Sequence, residues 1–151
     1  MFESYQNKYS ICDFPCHIDD RGKIQMILEN CSVGSISRIE SLSNTIRARH
    51  IHVKDYHYCE VISGEIEYYH QLVSNIEDLG GSSFIQSFQP EKYIVKVGEM
   101  IFTPPMFFHE MVFNTYTIFN CYSYLVRNQE NYENETIKYP HLSLKKIYIK
   151  A

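Results

Sequence analysis

From residue 23 to residue 126 the chain alternates apolar and polar positions with a period of two. That is the pattern of strands that bury one face and show the other to water. It predicts strands over 23–28, 33–39, 46–53, 58–62, 66–72, 93–97, 100–103, 109–113 and 117–126. Ser63-Gly64-Glu65 reads as the turn joining the fourth and fifth of these. Residues 75–89 are polar and contain Gly80-Gly81, so they read as a surface loop. After Arg127 the chain stays polar through Glu135, then alternates again from Leu142 to Lys150, the pattern of an added strand or of an arm onto a partner. No repeat, low-complexity tract or linker interrupts it, so residues 1–151 are expected to form a single domain. Many short strands separated by turns indicate an all-β sandwich or barrel, not βαβ units.

Composition sharpens this picture. A chain of 151 residues suits one domain, and 15% aromatic content (13 Tyr, 9 Phe, no Trp) favours a large β core. The net charge of −4 supplies no general attraction to nucleic acid or to an anionic membrane. No apolar run approaches the roughly 20 residues that span a bilayer. Met1-Phe2-Glu3-Ser4 opens with neither a basic nor an apolar leader segment. Cys12, Cys16, Cys31, Cys59 and Cys121 are odd in number and include no Cys-x-x-Cys pair, so free thiols in a reducing cytoplasm are expected.

The candidate chemistry lies in His50-Ile51-His52-Val53-Lys54-Asp55-Tyr56-His57. Residues two apart on a strand share a face, which puts His50 and His52 together. His57 opens the next strand and would stand opposite them in a hairpin. His109 begins another strand behind Thr103-Pro104-Pro105. Neutral imidazole is the commonest metal ligand, and a converging set of this kind suits a divalent transition metal such as Zn, Fe, Ni, Mn or Cu. Cys59 shares the face of His57 and is either a further ligand or a small buried thiol. Tyr68-Tyr69 and Phe107-Phe108 read as wall and core.

His50-x-His52-(x4)-His57-(x6)-Gly64 resembles the first motif of the cupin family, with His57 where that family usually has Glu. Gly98-(x5)-Pro104-x-Met106-(x2)-His109 resembles the second, with Met106 where Gly is usual. The resemblance implies the cupin double-stranded β-helix, a jelly-roll barrel, with metal ligands His50, His52, His57 and His109 inside near one mouth. Two nucleotide-sugar groups come closer. Asp19-Asp20-Arg21-Gly22 is similar to the Asp-x-Arg-Gly opening of the dTDP-4-dehydrorhamnose 3,5-epimerases, and Arg47-Ala48-Arg49-His50 to their Arg-Gly-x-His segment, with Ala48 replacing Gly. There the histidine matching His50 is the base. Pro104-Pro105-Met106-(x2)-His109-Glu110-Met111 is similar to the sugar 3,4-ketoisomerases. The epimerases work without metal and take their acid from a Tyr after the second motif. That position falls near Val126 or Arg127, and Tyr122 and Tyr124 are the neighbouring tyrosines.

The resemblance thus implies an isomerase, an epimerase or ketoisomerase acting on a nucleotide-activated keto-sugar in surface polysaccharide biosynthesis. A proton beside a keto group needs a base of near-neutral pKa and a group to hold enolate charge. His50 is the expected base, and Arg21, Arg47, Arg49 and Lys54 are the cations expected to bind substrate. Strict alternation sends Arg47 and Arg49 to the face opposite His50 unless a bulge intervenes. A metal-dependent cupin oxygenase and a non-catalytic small-molecule-binding cupin are the alternatives. His-Glu-x-x-His, glycine-rich dinucleotide and P-loop motifs are absent. Edge segments at both ends of the chain point to a homodimer.

Overall fold

A computed structural model describes residues 14–81 and 85–150 of the chain. Cys12 and the opening Met1-Phe2-Glu3-Ser4 lie outside the described residues. The strands are β1 (Cys16–Asp19), β2 (Gly22–Gln25), β3 (Ser35–Ser41), β4 (Thr45–His52), β5 (His57–Ser63), β6 (Glu65–Leu72), β7 (Glu91–Lys96), β8 (Met100–Thr103), β9 (Phe107–Phe113), β10 (Thr117–Ser123) and β11 (Thr136–Lys138). Two helices, α1 (Gln129–Glu135) and α2 (Leu144–Lys150), follow β10 on either side of β11.

Two antiparallel sheets carry the fold, one ordered β3-β10-β5-β8 and the other β11-β4-β9-β6-β7. They face each other as the expected jelly roll. Between them pack Val61, Ile66, Tyr68, Val95, Ile101, Met111, Phe113 and Phe119, all nearly or fully buried. Removing such side chains from water stabilises by about 1.5–3 kcal/mol each, which is why the alternating strands pair in this register. Gly64 is where the turn was expected, at φ +85° between β5 and β6. A Cβ there would lie 2.5 Å from the Tyr116 carbonyl oxygen, so only glycine fits.

Two segments depart from the expectation. Residues 75–89 include a 3₁₀ helix (Ile76–Gly80), and Leu79 and Phe88 are buried against the outer side of the five-stranded sheet. The C-terminal segment is neither strand nor arm: α2 covers that same outer side, with Leu144 fully buried and the Tyr148 ring 5.6 Å from that of Tyr69. Leu144, Ile147 and Tyr148 also satisfy a spacing of three and four, so the short apolar pattern fitted either period. Leu142–Lys150 therefore offers no edge for pairing. The other expected edge, β2, pairs with β1 in a separate hairpin.

Candidate active site

The site begins with an irregularity in β4. Arg47 is opposite Met111 of β9 and Ala48 opposite Glu110, but the next pair is His50 with His109. Arg49 is the extra residue of a β-bulge, and Ala48 and Arg49 adopt positive φ of 71° and 57°. The bulge reverses the alternation. Arg47 and His50 consequently line one cavity, while Arg49 turns outward to Glu110.

The four expected histidines come together in that cavity, which has a volume of about 180 Å³. Ring centroids of His50 lie 4.6 Å from His52 and 4.8 Å from His109, and His57 lies 5.2 Å from His109 and 5.5 Å from His52. One ring nitrogen each from His50, His52 and His109 falls within 4.8 Å of the others. Burial, reinforced by neighbouring imidazoles and Arg127, pushes His109 down to about 3 and holds His50 and His57 far below the ordinary histidine range. These rings are neutral near pH 7, with lone pairs available for a metal or a proton.

Donor type and anchoring fit a divalent transition metal. The His109 Nδ1–H donates to the Phe107 carbonyl at 3.1 Å, leaving Nε2 for the cavity. Ring nitrogens fixed in this way are typical of metal-bound histidines. The trio contains no anionic ligand, and Arg127 Nη2 lies 3.5 Å from His52 Nε2.

Glu135 makes His52 different from its neighbours. The His52 Nδ1–H donates to Glu135 Oε1 at 2.6 Å, with both side chains buried. The carboxylate is fixed by chain geometry, because β11 pairs with β4 so that Thr136 lies opposite His52. Glu135 also accepts the Asp55 N–H. Although burial opposes it, the bond from His52 holds the Glu135 carboxyl below its usual range. Arg127 reaches Asp55 Oδ2 at 3.5 Å, and Tyr132 on α1 places its ring 6.2 Å from His50 and 6.4 Å from His52. Asp55, Arg127, Tyr132 and Glu135 escaped the sequence reading. Three of them lie in or beside the polar run after β10, which carries no periodic signal.

Of the expected cations, only Arg47 lines the cavity, where its guanidinium donates to Ser41 Oγ at 2.7 Å and the Glu40 carbonyl at 2.9 Å. Arg49 is bound to Glu110 and the Pro140 carbonyl. Arg21 pairs with Asp19 in the β1–β2 hairpin, and Lys54 is exposed outside the cavity lining. Neither neighbouring tyrosine reaches the site: Tyr122 donates to Glu60, and Tyr124 stacks on Tyr56 at 4.8 Å. Cys59 lies on the cavity wall opposite Cys121 of β10. The bond between these thiols makes Cys121 the more acidic of the pair and pushes Cys59 up. Tyr68, Tyr69 and Phe108 are core, as expected.

Comparison by sequence gives no match to a family profile or to a curated protein. Comparison of structures does give matches. A 3,4-ketoisomerase from Helicobacter canadensis superposes with a TM-score of 0.64 at 17% identity, covering 95% of this chain and 96% of that one. The sugar 3,4-ketoisomerase QdtA from Thermoanaerobacterium thermosaccharolyticum, solved with TDP, gives 0.60 at 12% identity over 95% and 96% of the two chains. The dTDP-6-deoxy-D-glucose-3,5-epimerase RmlC from Legionella pneumophila, in complex with dTDP-4-keto-L-rhamnose, gives 0.64 at 12% identity over 91% and 74%. The chain has the cupin jelly-roll fold of these proteins.

Proposed function

We propose that this protein is an isomerase of a nucleotide-activated keto-sugar, acting by proton exchange beside the keto group. The observation that carries the reading is the buried His52–Glu135 pair at the wall of a cavity shared with Arg47, Arg127 and Tyr132. A carboxylate on Nδ1 fixes the tautomer, leaves Nε2 as the proton acceptor and stabilises the imidazolium that forms. This reading assigns the base to His52, which has the carboxylate partner, and not to His50, which has its proton affinity lowered by burial and by His109. Arg127 would hold enolate charge in a site shielded from water, and Tyr132 would return the proton from its own side of the ring. Arg47 bonds only to neutral acceptors here, so its charge remains available to a phosphate at the mouth. The folds of the ketoisomerases and the epimerase named above support the substrate class.

The closeness of the His50, His52 and His109 nitrogens supports a second reading, in which these three hold a divalent transition metal. Such a metal would supply a Lewis acid for the keto oxygen. His52 could not then serve as the base, so chelation separates the readings. Incubation with a nucleotide-linked 4-keto-6-deoxysugar in deuterated water is expected to place deuterium beside the keto group. Exchange that survives chelation supports the dyad, exchange lost on chelation and lost likewise in His109→Asn supports the metal reading, and no exchange rejects the isomerase. Tyr132→Phe is expected to keep exchange while losing net product.

The proposal extends to a cytoplasmic homodimer in surface polysaccharide biosynthesis. Cys16, Cys31, Cys59 and Cys121 are free thiols, in keeping with a reducing compartment. The β1–β2 hairpin joins neither main sheet and exposes Ile18 and Ile24, a surface that pairing would cover. Light scattering at micromolar concentration tests it, and a monomer would reject it. Among the described residues no helix is long and apolar enough to cross a membrane.

A further inference from the structure

We propose that His57, Cys59 and Cys121 form a sulfur-containing metal site on the inner face of the four-stranded sheet, taking Zn²⁺ with one coordination position open to the cavity. This site is distinct from the imidazole trio and does not depend on the keto-sugar reading. His57 and Cys59 share the inward face of β5, two residues apart. Across the ladder, β10 sets Cys121 opposite Cys59 and Ser123 opposite His57. One donor atom from each of the three lies within 4.8 Å of the others, and His57 Nδ1 is 3.5 Å from Cys59 Sγ. Tetrahedral zinc, with Zn–S near 2.3 Å and Zn–N near 2.0 Å, holds its donors roughly 3.5–3.8 Å apart. Small side-chain rotations close that difference. The Ser123 hydroxyl lies 3.5 Å from Cys121 Sγ, placed to orient a thiolate from outside the coordination shell.

Charge favours this set over the imidazoles. A dication bound by two thiolates and one neutral imidazole carries no net charge, so its burial is far less costly than that of an uncompensated ion. The same ion on His50, His52 and His109 keeps its full charge and meets Arg127, 3.5 Å from His52 Nε2. His57, Cys59 and Cys121 are all buried yet all line the cavity, which provides the entry path and room for a fourth ligand. Two Cys and one His with an open position is a donor set used by catalytic zinc. Here the open position would face the cavity that contains His52.

The test uses the full chain, reduced and stripped with chelator, titrated with Co²⁺. The expected result is a thiolate-to-cobalt charge-transfer band in the near ultraviolet that saturates at one equivalent per chain and is bleached by Zn²⁺. Cys59→Ser and Cys121→Ser should each abolish the band, whereas His50→Asn and His109→Asn should retain it, with folding confirmed by circular dichroism. A folded wild-type protein without the band overturns the proposal. So does a band that persists in the Cys59→Ser/Cys121→Ser double variant, because exposed thiols such as Cys16 would then be its source. Should the cysteine variants fail to fold, alkylation of the wild type mapped by mass spectrometry replaces them. Protection of Cys59 and Cys121 by Zn²⁺ upholds the site, and equal labelling with and without Zn²⁺ overturns it. Deuterium exchange is read separately, so failure of the metal site leaves the isomerase reading standing, and the reverse.

Discussion

On one side of the cavity, β5 and β10 of the four-stranded sheet keep register through the site, where His57 opposes Ser123, Tyr58 opposes Tyr122 and Cys59 opposes Cys121, and slip only farther along, between Phe119 and Ile118. Across from it, β4 of the five-stranded sheet loses register at Arg49 and regains it only at His50. The regular side delivers small soft donors at fixed spacing. The irregular side delivers an imidazole pair, a cavity cation at Arg47 and an outward ion pair at Arg49, all within six residues. One extra residue thus lets a single strand serve two faces: Arg47 turns to the cavity and Arg49 to Glu110. Glu110 in turn accepts the Lys145 N–H at the start of α2. The bulge therefore couples the site to the helix that covers the sheet.

The most severe way to break this contrast is to remove the base from the irregular side. His52→Ala is expected to lower deuterium exchange by about 10²–10⁴-fold, the usual contribution of a positioned acid or base. Glu135→Gln should lower it less, since the amide oxygen can still accept from His52, while the charge that supports the imidazolium and the acceptor for the Asp55 N–H are lost. His50→Asn should fall short of His52→Ala. If His50→Asn is the more damaging variant, the proton passes through His50 instead.

Acid stability tests the same cluster without substrate. His50, His57 and His109 are held neutral in the fold, with His109 pushed down to about 3, while an unfolded histidine titrates near 6.5. Their folded pKa lies below the unfolded one, so the unfolded chain binds more protons at acid pH. Their contribution is intact above pH 6.5 and is lost as pH falls below it. In chelator-treated protein each such histidine should add about 1.4 kcal/mol of destabilisation per pH unit over that window. Urea midpoints that stay flat between pH 7 and 5 would contradict the neutral cluster.

Much of this was legible in the chain because alternation is a local property. The strands of the barrel, the Gly64 turn and the shared face of His50 and His52 follow from period two plus spacing. His57, by contrast, faces them from the opposite sheet and not across a hairpin, and the meeting of all four histidines is what the cupin resemblance implied. What alternation misses is anything that breaks or lacks a period. Arg47 faces the cavity because of a bulge that side-chain pattern does not encode. Glu135 reaches His52 through β11, a strand of three residues, too short to show a pattern. Leu144–Lys150 carries apolar residues that suit both periods, and only the outer face of the sheet selects the helix.

The two arginines flanking the bulge should part company when each is removed. Arg49→Ala leaves the fully buried Glu110 without its guanidinium, which is expected to destabilise the fold by about 3 kcal/mol. Its effect on exchange at low temperature should be slight. Arg47→Ala should do the opposite, with little change in stability and about a tenfold rise in KM for the nucleotide sugar. Matching losses in both variants would erase the functional distinction between the two sides of the bulge.

The finest test concerns the bulge itself. Ala48 has φ +71°, a left-handed conformation that costs an L-residue about 1–2 kcal/mol. Glycine adopts it without that strain, although it gives back about 0.5–1 kcal/mol through the greater freedom of its unfolded chain. The difference favours glycine, so Ala48→Gly is expected to stabilise by about 0.5–1 kcal/mol and to raise Tm by about 1–4 °C. The Arg-Gly-x-His segment that this stretch resembles has glycine at the same place, as a fixed positive φ would demand. The matching change on the turn, Gly64→Ala, should run the other way, since the added Cβ would meet Thr117 Oγ1 and the Tyr116 carbonyl oxygen at 2.5 Å. Deuterium exchange in Ala48→Gly should match the parent, because neither His52 nor Glu135 moves. A Tm lowered by Ala48→Gly would mean that β4 does not bulge at this residue, and Arg47 and His50 could not then share a face.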